Sequence, residues 1–209
     1  MFQVVDVNFE DDIFNKLHNS VKLEELSNNR KSAILIDGND GLIPLVRTTI
    51  NFNIPSQQFK QIHHNVVNKI VEATKNTNLK FNNIMVELYD ASYTNMNYHS
   101  DHTIDLHDDS HIGILSLYDN SMTKSLRKLK IKEKLTNKSL EIAMKHSSII
   151  LFSVETNRKF LHKIILENKS SDKWLGLTLR LSKTFIKFIN EIPYFNNTDV
   201  ILKLANDDE

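Results

Sequence analysis

The stretch SSIILFSVETNRKFLHKIILENKSSDKWLGLTLRLSKTFI, residues 147–186, contains three apolar runs, SSIILFS, KFLHKIIL and WLGLTLRLSKTFI, separated by polar turns of which ENKSSDK is the clearest. Apolar residues recur there with a period of two, as half-buried β-strands require. The same period runs upstream through NIMVELY (83–89), HIGILSLY (111–118), LRKLKIK (126–132) and SLEIAMK (139–145). Six or seven short strands at regular spacing predict a sandwich or jelly roll rather than a parallel sheet with crossover helices.

Before residue 82 the pattern differs. FEDDIFNKLHNSVKLEEL (9–26) places Phe9, Ile13, Leu17 and Val21 at four-residue spacing, with acidic residues in the first turn, and predicts an amphipathic helix. SAILI (32–36) and IPLVRTTINF (43–52) read as strands around the turn DGNDG. Ser56 is placed to N-cap a second helix, QQFKQIHHNVVNKIVEAT, whose stripe is Phe59, Ile62, Val66, Ile70 and Val71. The predicted class is α+β, with N-terminal helices packed on one side of a double-layered β core.

Composition narrows the chemistry. A chain of 209 residues suits a single domain with one core. Lys plus Arg and Asp plus Glu balance at 26 each, so no global field draws the chain to nucleic acid or an anionic surface. The absence of cysteine removes disulfides, thiolate metal sites and thiol nucleophiles. No N-terminal signal pattern and no run of roughly 18 apolar residues is present, so a soluble, intracellular protein without a membrane partner is expected.

MNYHSDHTIDLHDDSH (96–111) packs four His and four Asp into sixteen positions. Two His and one carboxylate on one face of iron(II) are a common oxygen-activating set. His99 and Asp101, at i and i+2, share a face at a strand end, and His162 is the distant His that completes such a set. Arg180 and Ser182 fall at i and i+2 in TLRLSKTF, where a guanidinium fork and a hydroxyl suit a carboxylate.

Glu87-Leu88-Tyr89, His99-Ser100-Asp101, His162 and Arg180-Leu181-Ser182-Lys183-Thr184-Phe185, in that order, resemble the iron(II)/2-oxoglutarate-dependent dioxygenases, and among them the AlkB-like branch, over roughly residues 43–187. The resemblance implies a double-stranded β-helix (jelly roll). It implies iron held by His99, Asp101 and His162, and 2-oxoglutarate held by Arg180, Ser182 and Tyr89, with no catalytic residue beyond these ligands. It implies dioxygen as co-substrate, and hydroxylation or oxidative demethylation of a substrate such as an alkylated nucleobase in DNA or RNA. A protein side chain, a small metabolite, an inactive binding module keeping the fold, and a hydrolytic zinc enzyme are the alternatives. Two positions depart from the family's pattern: Glu87 stands where it has Asn, and Ile186 where it has a second Arg, with Lys187 the nearest base.

On this basis residues 1–80 are expected to support the core and to provide a lid around Arg47, residues 81–187 to form the catalytic core, and residues 188–209 to form a loosely held tail ending in LANDDE. Arg47 and Asp105 are the candidate substrate contacts. His102, His107, Asp108, Asp109 and His111 read as a polar loop. In KSLRKLKIKEK, Leu129 and Ile131 face inward and Lys128, Lys130 and Lys132 outward, the arrangement of a protected edge strand. A phosphate-tracking stripe including Lys124 and Arg127 is the sharper alternative. His63 and His64 are expected to cap or pack, and Trp174 to pack at a strand start.

Overall fold

The computed structural model describes the chain except residues 11, 28, 49–51, 169–170 and 204–209. A large sheet runs in the order β1 (Gln3–Asp6), β10 (Ser148–Ser153), β7 (His111–Tyr118), β12 (Trp174–Arg180), β6 (Asn83–Tyr89), β3 (Arg30–Ile36) and β2 (Glu24–Ser27). The short β5 (Gln57–Gln58) adds to β3 in parallel, and the pairings along the path are antiparallel. A second sheet is β11 (Phe160–Ile165), β8 (Lys128–Glu133) and β9 (Ser139–Ala143), and a third is β14 (Ile192–Phe195), β13 (Thr184–Ile189) and β4 (Ile43–Leu45). The helices are α1 (Ile13–Ser20), α2 (Gln61–Thr74) and α3 (Val154–Lys159). The architecture is α+β around a jelly-roll core.

The period of two divides each central strand between two cores. Leu175, Leu177 and Leu179 of β12, Leu115 and Leu117 of β7, and Ile149 and Leu151 of β10 pack under α1 and α2. Trp174, Ile112, Ile114, Ile150 and Phe152 point the other way and meet Leu129 and Ile131 of β8. Each such fully buried side chain contributes about 1.5–3 kcal/mol, so a one-residue slip of register would exchange the two cores and lose both.

Several expectations change. The first helix ends at Ser20, because the following residues pair as β2 with β3. It carries no acid in its first turn. The second helix begins at Gln61 with Lys60 as N-cap rather than Ser56, since Gln57 and Gln58 are drawn onto β3. Strand β8 lies in the middle of its sheet, not at an edge. Past Pro193 the chain is organised rather than loose: β14 pairs with β13, and Tyr194 bridges Ile201. LANDDE lies outside the described residues, as do three positions of the predicted strand 43–52. No helix among the described residues is long and apolar enough to cross a membrane.

His63 packs and caps, as expected, and is fully buried. Its Nδ1 accepts from the Lys60 N–H at 2.8 Å and its Nε2 lies 2.8 Å from Ser20 Oγ, tying α2 to α1. With Nδ1 an acceptor, Nε2 carries the proton, so Ser20 faces a donor and the pair is structural rather than a nucleophile and base. Burial, reinforced by Lys60 and His64, pushes the imidazole down to about 4. The unfolded chain therefore takes up this proton first, near its ordinary value of 6.5. Stability is expected to fall by on the order of 2–3 kcal/mol as pH drops from 6.5 to 4, and to level off below. Urea unfolding at pH 7 and pH 4.5 measures this, and His63→Gln should flatten the difference.

Candidate metal centre

The site forms where the segment 97–101 lies along β11. His99 and His162 exchange backbone hydrogen bonds, N–H to O at 3.0 and 2.7 Å, which sets their rings side by side with centroids 4.6 Å apart. Asp101 follows two residues later, with Oδ1 at 3.8 Å from His99 Nε2 and 3.6 Å from His162 Nε2. One ligand atom from each of His99, Asp101 and His162 lies within 4.8 Å of the others, and no other such group occurs among the described residues. His107 and His111, read as loop residues, belong to no such group.

Protonation states suit ligation. His99 Nδ1 lies 3.1 Å from the Asn97 carbonyl, an acceptor only, so Nδ1 holds the proton and the lone pair sits on Nε2, facing Asp101. Burial, with His162 adding to it, lowers the His99 pKa and favours this neutral form. Burial pushes the Asp101 carboxyl up, but the Arg180 guanidinium and His162 outweigh it and hold the group well below the usual carboxylate range. Arg180, at the end of β12, donates from Nε at 2.9 Å and Nη2 at 2.7 Å to Asp101 Oδ2, leaving Oδ1 toward the two histidines. A tetrahedral or octahedral divalent ion with nitrogen and oxygen preferences fits this donor set.

Sequence reasoning missed Asn157. Ser153 caps the short α3, accepting from the Thr156 N–H at 3.1 Å, and α3 delivers Asn157 beneath Asp101. Its amide oxygen accepts from the Asp101 N–H at 3.0 Å and its NH2 donates to the Asp101 carbonyl at 2.9 Å, with Asn157 buried. The Ser153 cap in SVET was the available signal. Asn157→Ala should leave the three ligands present but loosely held, weakening metal affinity about 10–100-fold in a calorimetric titration.

A cavity of about 510 Å3 opens beside the triad. Met85, Glu87, Ile114, Thr178, Arg180 and Ile164 contribute to its wall, joined by Arg30, Arg47 and Tyr93. Arg30 was also missed; it donates from Nε at 3.0 Å and Nη2 at 2.5 Å to Glu87 Oε1, and lies 5.9 Å from the Tyr89 and Tyr93 ring centroids. Glu87 thus faces the cavity as half of an ion pair, which answers how an acid is tolerated at this position.

The predicted co-substrate residues do not all meet here. Arg180 lines the cavity. Ser182 does not: the strand ends at Arg180, and the Ser182 hydroxyl donates to the Leu45 carbonyl at 2.5 Å and accepts from the Thr184 N–H at 3.1 Å. Tyr89 is fully buried, donates to Glu87 Oε1 at 2.9 Å and packs on Trp174, outside the cavity lining. Ile186 is buried. Arg47 lines the cavity, whereas Asp105 lies behind it and accepts from the Arg47 backbone N–H at 2.9 Å, from Nε at 3.0 Å and from Nη2 at 2.5 Å. Asp105 is therefore a support for Arg47, not a substrate contact. Arg127 leaves the basic stripe altogether: it is buried, bonded to the Tyr93 and Asp90 carbonyls at 2.6 and 2.8 Å. Lys128 and Lys130 are paired with Glu141 and Glu167, so the stripe is locally neutralised. The loop 102–110 remains polar, and its Asp108 bridges Arg158 and Lys183.

Among solved structures, that of OsALKBH1, an AlkB homologue, superposes with a TM-score of 0.59 over 86% of this chain and 97% of its own, at 13% identity. The chain has an AlkB-like fold. No protein-family model and no curated protein matches the sequence. In this chain β11 brings His162, and the end of β12 brings Arg180, to His99 and Asp101.

Proposed function

We propose that the protein is an iron(II)-dependent oxygenase that uses a 2-oxo acid, 2-oxoglutarate being the family's, and dioxygen to hydroxylate or oxidatively demethylate its substrate. The observation that carries this reading is the convergence of His99, Asp101 and His162, with Arg180 fixing the carboxylate, in the wall of a cavity in an AlkB-like fold. His99, Asp101 and His162 would hold the metal. Arg180 Nη1, buried and without a partner, suits the carboxylate of the acid. Bound there, iron(II) and the 2-oxo acid supply oxidative decarboxylation, in which one oxygen atom of dioxygen enters the new carboxylate, carbon dioxide leaves, and the other atom becomes a hydroxyl on the substrate. A hydroxylated N-methyl group would then be lost as formaldehyde.

The chain's own work is positional. Asn157 and Arg180 orient Asp101, Asn97 sets the His99 tautomer, and Ile114, Ile164 and Met85 keep part of the wall apolar. A cavity of about 510 Å3 suits a base-sized or metabolite-sized group. An alkylated nucleobase in DNA or RNA follows from the resemblance; the paired lysines of β8 favour a small molecule or protein side chain over a long nucleic-acid strand. The inactive-module reading draws on Ser182 and Tyr89 being committed elsewhere. The test is iron-dependent carbon dioxide release from a panel of 2-oxo acids that includes 2-oxoglutarate. Release by the wild type, lost in His162→Ala, is expected; equal release by both would overturn the assignment, and none from any acid or candidate substrate would favour the inactive module.

A further inference from the structure

Three arginines line the cavity, and each is already matched by a carboxylate: Arg30 by Glu87 at 2.5 Å, Arg47 by Asp105 at 2.5 Å and Arg180 by Asp101 at 2.7 Å. No lysine lines it among the described residues. The two neutral donors that the resemblance gives to 2-oxoglutarate, the Ser182 and Tyr89 hydroxyls, are bonded to other acceptors. The bonds from Arg30 and Tyr89 all go to Glu87 Oε1, and the carboxylate lines the cavity wall. The unpartnered donor, Arg180 Nη1, belongs to the guanidinium that grips Asp101 and so serves the metal end. Met85, Ile114 and Ile164 supply apolar wall.

Every 2-oxo acid presents the same carboxylate and keto oxygens to a metal, so selection among them falls to the tail. We infer that this cavity selects a 2-oxo acid with an uncharged tail, apolar or hydrogen-bond-donating, over the dicarboxylate 2-oxoglutarate. A second carboxylate would meet Glu87 and would have to share a guanidinium whose charge is already balanced by a buried carboxylate, since each of the three arginines has one. Glu87 in place of the family's Asn is then the specificity-determining residue, and Arg30 the group that holds it in place. The inference rests on the oxygenase reading above.

The test is anaerobic calorimetric titration of the Mn(II)-loaded protein with 2-oxoglutarate, 2-oxobutanoate and 4-methyl-2-oxopentanoate. The wild type is expected to bind at least one of the monocarboxylates about 10-fold or more tighter than 2-oxoglutarate. Glu87→Gln keeps an acceptor for Arg30 and removes the charge, and should tighten 2-oxoglutarate about 10-fold with little change for the monocarboxylates. Tighter binding of 2-oxoglutarate than of both monocarboxylates by the wild type would overturn the inference and leave the oxygenase reading standing, whatever the variant does. Binding of no 2-oxo acid by the metal-loaded protein would overturn both.

Discussion

Asp101→Ala should abolish tight metal binding and also destabilise the metal-free protein by about 3–5 kcal/mol. Two functions meet in this carboxylate. Oδ1 faces both imidazoles, and Oδ2 takes two hydrogen bonds from Arg180, whose side chain is 5% exposed. Removing it takes away a proposed metal ligand and leaves a buried guanidinium, already short of one partner at Nη1, with none of its present bonds. Asp101→Asn separates the two effects. Its amide oxygen can still accept from Arg180, so stability should fall by less, while the loss of ligand charge should weaken divalent metal binding by at least about 100-fold. Denaturant unfolding and metal titration of the two variants measure this. Equal stability of the wild type and Asp101→Ala would show that the Arg180 pair does not hold this end of β12.

The other large effect belongs to Trp174. Its indole closes the inner part of the barrel against Tyr89, with centroids 4.8 Å apart, and the Arg127 guanidinium lies 5.1 Å from the Tyr89 ring centre and 5.8 Å from that of Trp174. Gly176 is what admits it: a Cβ there would come within 2.0 Å of the indole ring. Trp174→Ala should cost about 3–5 kcal/mol, a fall in Tm of roughly 6–20 °C for a domain of this size. Trp174→Phe should cost far less, because the indole N–H has no partner to lose. Gly176→Ala should approach the alanine variant from the opposite direction, by overpacking. A loss under about 1 kcal/mol in Trp174→Ala would mean that the barrel floor does not depend on this ring.

Much of the fold was legible because the central strands are buried on both faces and still alternate in what each face meets, so NIMVELY, HIGILSLY and WLGLTLR announced themselves. The candidate metal set was legible for a related reason: strand periodicity puts His99 and Asp101 on one side, and an antiparallel bridge brings His162 to them. What escaped depended on partners distant in sequence. Glu87 reads as an anomaly until Arg30, 57 residues away, is seen beside it. Ser182 loses its expected role because the strand stops at Arg180 and the chain turns to meet Leu106. The lysines of β8 looked like an edge because nothing in their own sequence says that β9 covers the second side. Arg127, in a run of surface bases, is buried against aromatic rings that come from two other segments, Tyr89 of β6 and Trp174 of β12.

The central claim is that His99, Asp101 and His162 form one mononuclear metal centre. Anaerobic titration of the metal-free protein with iron(II) tests it most directly. One ion per chain in the wild type, with affinity at least about 100-fold weaker in His162→Ala and the fold retained by circular dichroism, is the predicted result. Undiminished binding in His162→Ala, or no stoichiometric binding by the wild type, would contradict it.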